Sequence, residues 1–307
     1  MEISKRKIHK KQSFKDWLIS AITYVVFAIF AFICIYPFYY IFINTISSNK
    51  LSEKGAINFW PQQIHFQNYM DALKIPGLAN AAMISIERTV IGTLFTVIAT
   101  AFLGYMFTRD SLWHRKLWYR YVVITMYFNA GIIPWYLTMR NLHLTNNFWG
   151  YILPGIVSPF YIILTKTFVE SIPIELQQAA EIDGAGTLRV FTSIILPVIK
   201  PIMATVAIFT AVGQWNAFQD TLLLMTDEKL YSLQFILYQY INQASSLKTL
   251  INSTSNGASV AQSLATVQTA TSIRMTVTII VVAPILLIYP IFQRYFVKGM
   301  MIGAVKG

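Results

Sequence analysis

A group of polar residues interrupts the fifth of six long apolar stretches in the chain. Residues 213–220 read Gly-Gln-Trp-Asn-Ala-Phe-Gln-Asp. Polar and ionisable side chains inside a membrane span are costly, so they indicate a transport pathway unless hydrogen bonds between packed helices explain them. An aromatic ring can stack on the apolar face of a sugar, and amides and carboxylates can bond to its hydroxyl groups. One continuous helix would place these side chains on one broad face. We therefore predict that the path is lined by Trp215, Asn216, Gln219 and Asp220.

Two further features belong to the same predicted path. The carboxylate of Asp220 needs a neutralising cation, and Arg88 and Arg274 are both candidates from other stretches. The sequence leaves the choice between them open. The third apolar stretch contains Asn129-Ala-Gly131 and Pro134, which should break a regular helix. Because broken helices inside a membrane line cavities or contact protein, we add Asn129 to the predicted path.

A segment with different chemistry lies between the fourth and fifth apolar stretches, at 171–201. Pro173 suits the first turn of a short helix, Asp183-Gly184 is a turn signal, and a second helical run follows from about Thr187. Its small residues leave the backbone open to close approach by another protein. Four acids and no Lys or Arg occur in 170–183, which argues against a helix lying on a membrane surface. The alternative from composition is an amphipathic hairpin packed on its own membrane domain.

This segment resembles the EAA coupling loop of permease subunits from ATP-driven importers, close to the maltose permease G subunit. The usual pattern is Glu-Ala-Ala, Asp-Gly-Ala and Leu-Pro, and here it reads Gln178-Ala-Ala180, Asp183-Gly-Ala185 and Leu196-Pro197. Gln178 departs from the family's Glu, so it offers a hydrogen bond but no salt bridge. Trp215-Asn216 also resembles the Trp-Asn element of carbohydrate permeases, and the tail 293–307 resembles that of the complex polysaccharide and oligosaccharide subgroup. The resemblance assigns contact with the ATPase to Glu175, Gln178, Ala179, Ala180, Asp183, Gly184 and Ala185.

The resemblance implies the type I ABC importer permease fold, an all-α polytopic membrane protein with six transmembrane helices and a cytoplasmic coupling-helix loop. Its implied partners are a second homologous permease subunit, two ATP-binding subunits and an extracellular sugar-binding protein. This chain would hold no cofactor, since ATP and Mg would be bound by the partner ATPase. The loop 172–191 would convert closure of the ATPase into opening of a path for sugars, oligosaccharides or complex glycans.

The residue content argues against other functions. No Gly-x-x-x-x-Gly-Lys-(Ser/Thr) phosphate loop occurs, so the chain would depend on ATP hydrolysis elsewhere. Cys34 is the one cysteine, and the four histidines lie in separate segments, which predicts no catalytic residues and no metal site. A secondary transporter or channel working alone is the alternative class, and inverted repeats, of which we see none, would favour it. A membrane scaffold without transport is a third class.

Composition independently indicates a polytopic membrane protein. Of 307 residues, 55% are hydrophobic and 12% are charged, which is too apolar for an ordinary soluble domain. Six stretches lack Lys, Arg, Asp and Glu for about 19 residues or more, close to the roughly 20 residues that cross a bilayer. They are Trp17–Ser48, Thr89–Thr108, Tyr121–Met139, Asn141–Thr165, Pro201–Gln219 and Met275–Gln293.

Charge sets the predicted orientation in a bacterial plasma membrane. With the N-terminus inside, sixteen of the 24 Lys and Arg residues fall on the cytoplasmic side and eight outside. Cytoplasmic loops carry the excess of positive charge, so both termini are predicted to be cytoplasmic. The net charge of +11 therefore reflects topology. We expect the lipid bilayer as a partner and expect no nucleic acid.

The predicted domain order follows from these spans. It comprises a basic cytoplasmic tail (1–16), a first transmembrane helix (17–48), an extracellular connection (49–80), a permease core (81–297) and a cytoplasmic tail (298–307). The core contains the coupling loop 171–197 and an extracellular loop, 227–271. This extracellular loop is rich in Ser, Thr, Asn and Gln, and we expect it to order only against another protein.

Overall fold

The computed structural model describes residues 14–253 and 270–304, and within these ranges the chain forms helices and no strands. A π-helical turn occurs at Phe191–Ile195, and 3-10 turns occur at Leu153–Gly155 and Glu228–Leu230. The α-helices are α1 (Phe14–Thr45), α2 (Asn49–Glu53), α3 (Gln67–Leu73), α4 (Leu78–Met106), α5 (Arg115–Tyr127), α6 (Ile132–Asn141), α7 (Trp149–Ile152), α8 (Pro159–Glu170), α9 (Glu175–Ile182), α10 (Thr187–Val190), α11 (Leu196–Val198), α12 (Lys200–Asn216), α13 (Gln219–Leu224), α14 (Leu233–Ser253) and α15 (Ala270–Ala304).

Three helical segments of the described chain are long and apolar enough to cross a membrane: α1, α4 and Thr271–Ile288 of α15. Two bent pairs raise the number to as many as five. They are Trp149–Gly155 with Pro159–Glu170, bent by 47°, and Thr187–Val198 with Lys200–Asn216, bent by 78°. The third predicted span is divided between α5 and α6. The helices therefore show a polytopic all-α architecture, whereas the count of six spans stays a prediction.

Helix α4 lies at the centre of the structure, where it packs against α8, α12 and α14. Its approach to α8 depends on Gly104, because a Cβ atom at that position would lie 2.6 Å from Cγ2 of Thr165. Near the end that carries the segment 171–197, Tyr105 is fully buried in an apolar cluster with Ile199 and Val206 of the following segment. The C-terminal half of α4 therefore packs against α8 and α12, the helices that flank the loop.

Helix α14 occupies much of the predicted extracellular loop and packs on the chain itself. Leu233 and Ile236 are buried against Leu78 of α4 and Val277 of α15. The expectation that this loop orders only against another protein is therefore wrong for its first part. An amphipathic helix can bury its apolar face on any apolar surface, and here its own α4 and α15 supply that surface. The remainder of the predicted loop, 254–269, lies outside the described residues.

The connection 49–80 is ordered by hydrogen bonds to the end of α1. Asn68 Nδ2 donates to the carbonyl oxygen of Thr45 at 2.8 Å and to Oδ1 of Asn49 at 2.9 Å. Tyr39 donates its hydroxyl proton to the carbonyl oxygen of Phe59 at 2.6 Å. The bond to Thr45 satisfies a backbone carbonyl at the end of α1, the bond from Tyr39 fixes the connection against that helix, and the bond to Asn49 lies within the connection.

Candidate functional site: a polar cavity between two helix breaks

Two interruptions in the helices bring polar residues together. The first separates α5 from α6, where Gly131 has φ +87° and its amide donates to Oδ1 of Asn129 at 2.9 Å. Glycine adopts this φ without the steric cost that a Cβ would bring. The second separates α12 from α13, where Ala217 has ψ 130° and leaves the helical conformation. The break predicted in the third apolar stretch is confirmed, whereas the fifth stretch is also broken, which we did not predict.

A cavity of about 520 Å³ lies between these two breaks. Four of the five residues predicted for the path line it, from separate elements: Asn129 from the first break, Asn216 from the end of α12, and Gln219 and Asp220 from the start of α13. Amide groups and a carboxylate thus converge on one concave surface, which is typical of a binding site for a polar ligand. The remaining lining residues are Gly131, Ile132, Trp135, Ala217, Phe218 and Leu223.

The acid of this cavity is paired with Arg88, which decides between the two cations proposed from the sequence. The Arg88 Nη2 atom pairs with Asp220 Oδ2, and Nη1 donates to Asp220 Oδ1 at 3.2 Å. Nη1 also donates to the carbonyl oxygen of Ala217 at 3.3 Å. A broken helix leaves carbonyl groups without partners, so this bond compensates for the break. Arg88 therefore fixes α4 to the interruption between α12 and α13.

Other contacts hold the guanidinium group in place. Gln214 Oε1 accepts hydrogen bonds from Nε at 3.3 Å and from Nη2 at 3.1 Å. The guanidinium carbon lies 4.3 Å from the centre of the Tyr151 ring, a cation–π contact. The Arg88 side chain is only 1% exposed and is therefore enclosed by protein atoms. The Asp220 side chain is 18% exposed beside the cavity.

A second cavity, of about 330 Å³, adjoins the first. The two share Trp135, Ala217 and Asp220 as lining residues. The second cavity continues past the ion pair to Tyr161 of α8 and Phe209 of α12. Phe209 lies in α12 two turns before the break at Ala217, so the pair of cavities extends along the helix from the break toward the loop 171–197.

Trp215 lies away from these cavities. Its indole Nε1 donates to the carbonyl oxygen of Val281 in α15 at 3.0 Å, and its ring lines a separate apolar crevice with Pro284 and Ile288. The stripe geometry predicted for a continuous helix fails because α12 ends at Asn216. The aromatic groups beside the polar residues are instead Phe218 and Trp135. Sequence reasoning missed Trp135 although it follows the predicted breaker Pro134.

The loop predicted to contact an ATPase is a helix, a turn and a second helix. Gly184 stands at the turn with φ +80°, and the segment continues into α10 after Gly186. Of the seven residues predicted to contact the ATPase, Ala180 and Ala185 are half-buried against the apolar cluster of α4. The other five are exposed: Glu175, Gln178, Ala179, Asp183 and Gly184.

Exposed apolar side chains accompany these polar ones. Ile182 is 87% exposed and Leu188 is 66% exposed, with Ile174 and Leu176 also on the surface. A cluster of large apolar side chains around an acidic turn is characteristic of a contact surface for another protein. Three of these residues, Ile174, Leu176 and Ile182, form the apolar side of the segment 171–201, whose sequence also allowed an amphipathic hairpin.

Over its described residues the chain is all-helical, with membrane-length helices, two helix breaks around a polar cavity and an exposed amphipathic loop. These features define the class of membrane transport components. More specifically, the chain belongs to the family described as the binding-protein-dependent transport system inner membrane component, whose model matches residues 9–302. The resemblance deduced from the sequence is thereby confirmed. The chain is a permease component of an ABC importer and not an enzyme.

Individual relatives agree with this family. The chain is 34% identical over 275 residues to the Protein LplC of Bacillus subtilis (strain 168), covering 90% of each chain. It is 28% identical to the polygalacturonan/rhamnogalacturonan transport system permease protein YtcP of the same organism, covering 95% of this chain and 100% of the relative.

A solved structure has the same fold. It is a bacterial ABC transporter involved in the import of the acidic polysaccharide alginate, and one of its chains matches with a TM-score of 0.81 and 27% sequence identity. The match covers 93% of this chain and 99% of that chain. The predicted importer permease fold is therefore shown at the level of the chain trace.

Proposed function

We propose that the chain is the transmembrane subunit of an importer of sugars, and specifically of oligosaccharides or complex glycans. The observation that carries this proposal is the cavity between the two helix breaks, where Asn129, Asn216, Gln219 and Asp220 converge. Amides and a carboxylate suit hydroxyl groups, and the Trp135 ring offers a stacking surface. The relatives named for polygalacturonan and rhamnogalacturonan transport and for alginate import support a glycan substrate.

The same proposal includes partners and cofactors. We infer a heterodimer with a second homologous permease, two ATP-binding subunits on the cytoplasmic side and an extracellular sugar-binding protein. ATP and Mg²⁺ are held by the ATP-binding subunits, and this chain holds no cofactor. The exposed apolar surface of Ile182 and Leu188 supports an ATPase docking site, since clustered apolar side chains outside a bilayer mark sites of protein interaction.

The proposed topology places six spans in a bacterial inner membrane with both termini in the cytoplasm. The division of the third span between α5 and α6 is compatible with this count if the polar break faces the cavity, because non-helical backbone at membrane depth is tolerated there. The coupling loop 171–197 is then cytoplasmic, and 49–80 and 227–271 are extracellular. Closure of the ATPase moves α9, and that movement opens the path past Asp220.

The experiment is purification in mild detergent followed by reconstitution into liposomes. We expect a second permease and an ATP-binding protein to copurify with the chain. The sugar-loaded binding protein should then raise ATP turnover and drive oligosaccharide uptake that stops when ATP is omitted. Uptake that continues without ATP or a binding protein would instead identify a transporter working alone, and the proposal would be wrong.

A further inference from the structure

Arg109 joins the coupling loop to α4. Its Nη2 atom pairs with Oε1 of Glu181, and Nη1 donates to Oε1 of Gln177 at 3.3 Å. Gln177 and Glu181 are four residues apart on α9, so they lie on one face of that helix. The Arg109 side chain is 16% exposed and Gln177 is 4% exposed, whereas the Glu181 side chain is 40% exposed. The guanidinium group is therefore partly shielded from water, and its carboxylate partner lies at the surface.

Arg109 lies three residues beyond the end of α4, in the turn that follows the helix. Its amide donates to the carbonyl oxygen of Met106 at 3.1 Å, and its guanidinium carbon lies 5.8 Å from the centre of the Tyr105 ring. Tyr105 is fully buried, so this end of α4 is fixed. A displacement of α9 that carries Arg109 with it must therefore act on α4.

The other functional contact of α4 is Arg88, eighteen residues before Met106 in the same helix. At 1.5 Å per residue the two positions lie about 27 Å apart along a single rigid element. The C-terminal end of α4 thus contacts the coupling loop, while its N-terminal half contacts the helix break that borders the polar cavity. The coupling loop also reaches α12 through the chain itself, by way of α10 and the π-helical turn. The loop also packs on α4 through the apolar contacts of Ala180 and Ala185, and Arg109 adds a directional, charged link to these contacts.

We propose that Arg109 is a positioning residue that transmits movement of α9 to α4, and through α4 to the Arg88–Asp220 pair at the cavity. This inference rests on the proposed function and deepens it. Two helices that move together carry the cavity wall as a unit, because Arg88 joins α4 to the break after α12. If only α12 moved, the ion pair and the bond to Ala217 would resist the motion.

The test is a charge exchange in the reconstituted transporter. Arg109→Glu and Glu181→Arg each place two like charges together, and the double variant restores an opposite pair. The measured quantity is oligosaccharide taken up per ATP hydrolysed, together with the amount of ATP-binding protein that copurifies. We expect each single variant to lower uptake per ATP by at least about fivefold, the lower bound of typical coupling between sites. The double variant should return to within about twofold of wild type.

A matched control uses the pair of Lys166 and Glu170, which lie four residues apart within α8 and whose charged atoms are 2.6 Å apart. Reversal of one charge breaks this ion pair, and reversal of both restores it. The Lys166 Nζ atom also lies 4.6 Å from the centre of the Tyr119 ring of α5. Neither contact joins the coupling loop to α4, so uptake per ATP should stay within about twofold throughout. If a reversed charge prevents assembly, Glu181→Gln provides a milder variant. It keeps an oxygen acceptor for Arg109 and removes the charge, and it should lower uptake per ATP while ATPase attachment is retained.

The outcomes separate this inference from the proposed function. Wild-type uptake per ATP in the single variants and in Glu181→Gln would overturn the role of Arg109 and leave the importer intact. Uncoupled single variants without rescue by an assembled double variant would also overturn it. Absence of ATP-driven uptake in the wild-type complex would contradict the proposed function itself.

Discussion

Arg88 of α4 and Asp220 of α13 form an ion pair between residues 132 positions apart in the chain. The Arg88 side chain is 1% exposed, and the same guanidinium group binds the carbonyl oxygen of Ala217, the first residue beyond α12. One side chain therefore neutralises an acid and satisfies a broken helix. A buried charge is costly once its partner is lost, which makes this pair a sensitive point for stability.

We expect Arg88→Met to destabilise the protein by about 3–5 kcal/mol, the usual cost of removing one partner from a buried ion pair. The double variant Arg88→Met with Asp220→Leu removes both charges, and it should recover a large part of that loss. Thermal unfolding of the purified permease complex in detergent measures the stability of the single and the double variant. A double variant as unstable as Arg88→Met would show that the other contacts of Arg88, with Ala217, Gln214 and Tyr151, carry the stabilisation in place of the ion pair.

The cavity residues make a separate prediction for transport. Asn216→Leu and Gln219→Leu each remove a hydrogen-bonding group that is exposed to the cavity. A hydrogen bond contributes about 0.5–1.5 kcal/mol net, so each change should lower oligosaccharide uptake by about two- to tenfold. ATP turnover stimulated by the binding protein should be retained, because the coupling loop is unchanged. Full uptake in both variants and in their double variant would assign the substrate path to the partner subunit.

Trp215 and Trp135 provide a contrasting pair for the aromatic contribution. Trp215→Phe removes the indole bond to the carbonyl oxygen of Val281, so we expect lower thermal stability and unchanged uptake per assembled complex. Trp135→Ala removes the ring that lines both cavities, so we expect reduced uptake. Uptake assays normalised to the amount of purified complex distinguish the two effects. The reverse result would return the stacking role to Trp215.

The turn of the coupling loop can be tested with two glycines. Gly184 has φ +80°, whereas Gly186 has φ −69°, and a Cβ atom at either position would meet no atom within 4 Å. Gly184→Ala should therefore distort the turn at a cost of roughly 1–2 kcal/mol from backbone strain alone. We expect weaker copurification of the ATP-binding subunit with Gly184→Ala and wild-type copurification with Gly186→Ala. Equal behaviour would show that the turn geometry does not matter for docking.

Topology is tested by labelling single cysteines in a Cys34→Ser background, since Cys34 is exposed on α1. The positions Glu53 and Thr187 are both exposed and lie in regions predicted on opposite sides of the membrane. A membrane-impermeant maleimide applied to intact cells should label a cysteine at 53 and leave one at 187 unlabelled until the cells are opened. Labelling at 187 from outside would contradict the cytoplasmic coupling loop.

Local signals in the sequence determined much of this protein. Long apolar stretches predicted the membrane helices, and Gly131 with Pro134 predicted the break before α6 because these residues disfavour regular helix over a few positions. The motif at 178–185 predicted a helix and a turn in the coupling loop, and it identified the family. Each of these features depends on residues close together in the chain, which is why they could be deduced without a structure.

Contacts between distant residues were decided only by the tertiary structure. Arg88 and Arg274 were equally plausible partners for Asp220, and only the packing of α4 against α12 brings Arg88 to it. The side chain of Trp215 points away from that of Asn216, since adjacent helical residues point about 100° apart. Trp215 does not share a helical face with Gln219, because α12 ends at Asn216. In the sequence Arg109 is one of sixteen basic residues on the predicted cytoplasmic side. Its contact with α9 exists because the fold places the end of α4 beside Glu181, and no periodicity in the chain encodes that distance.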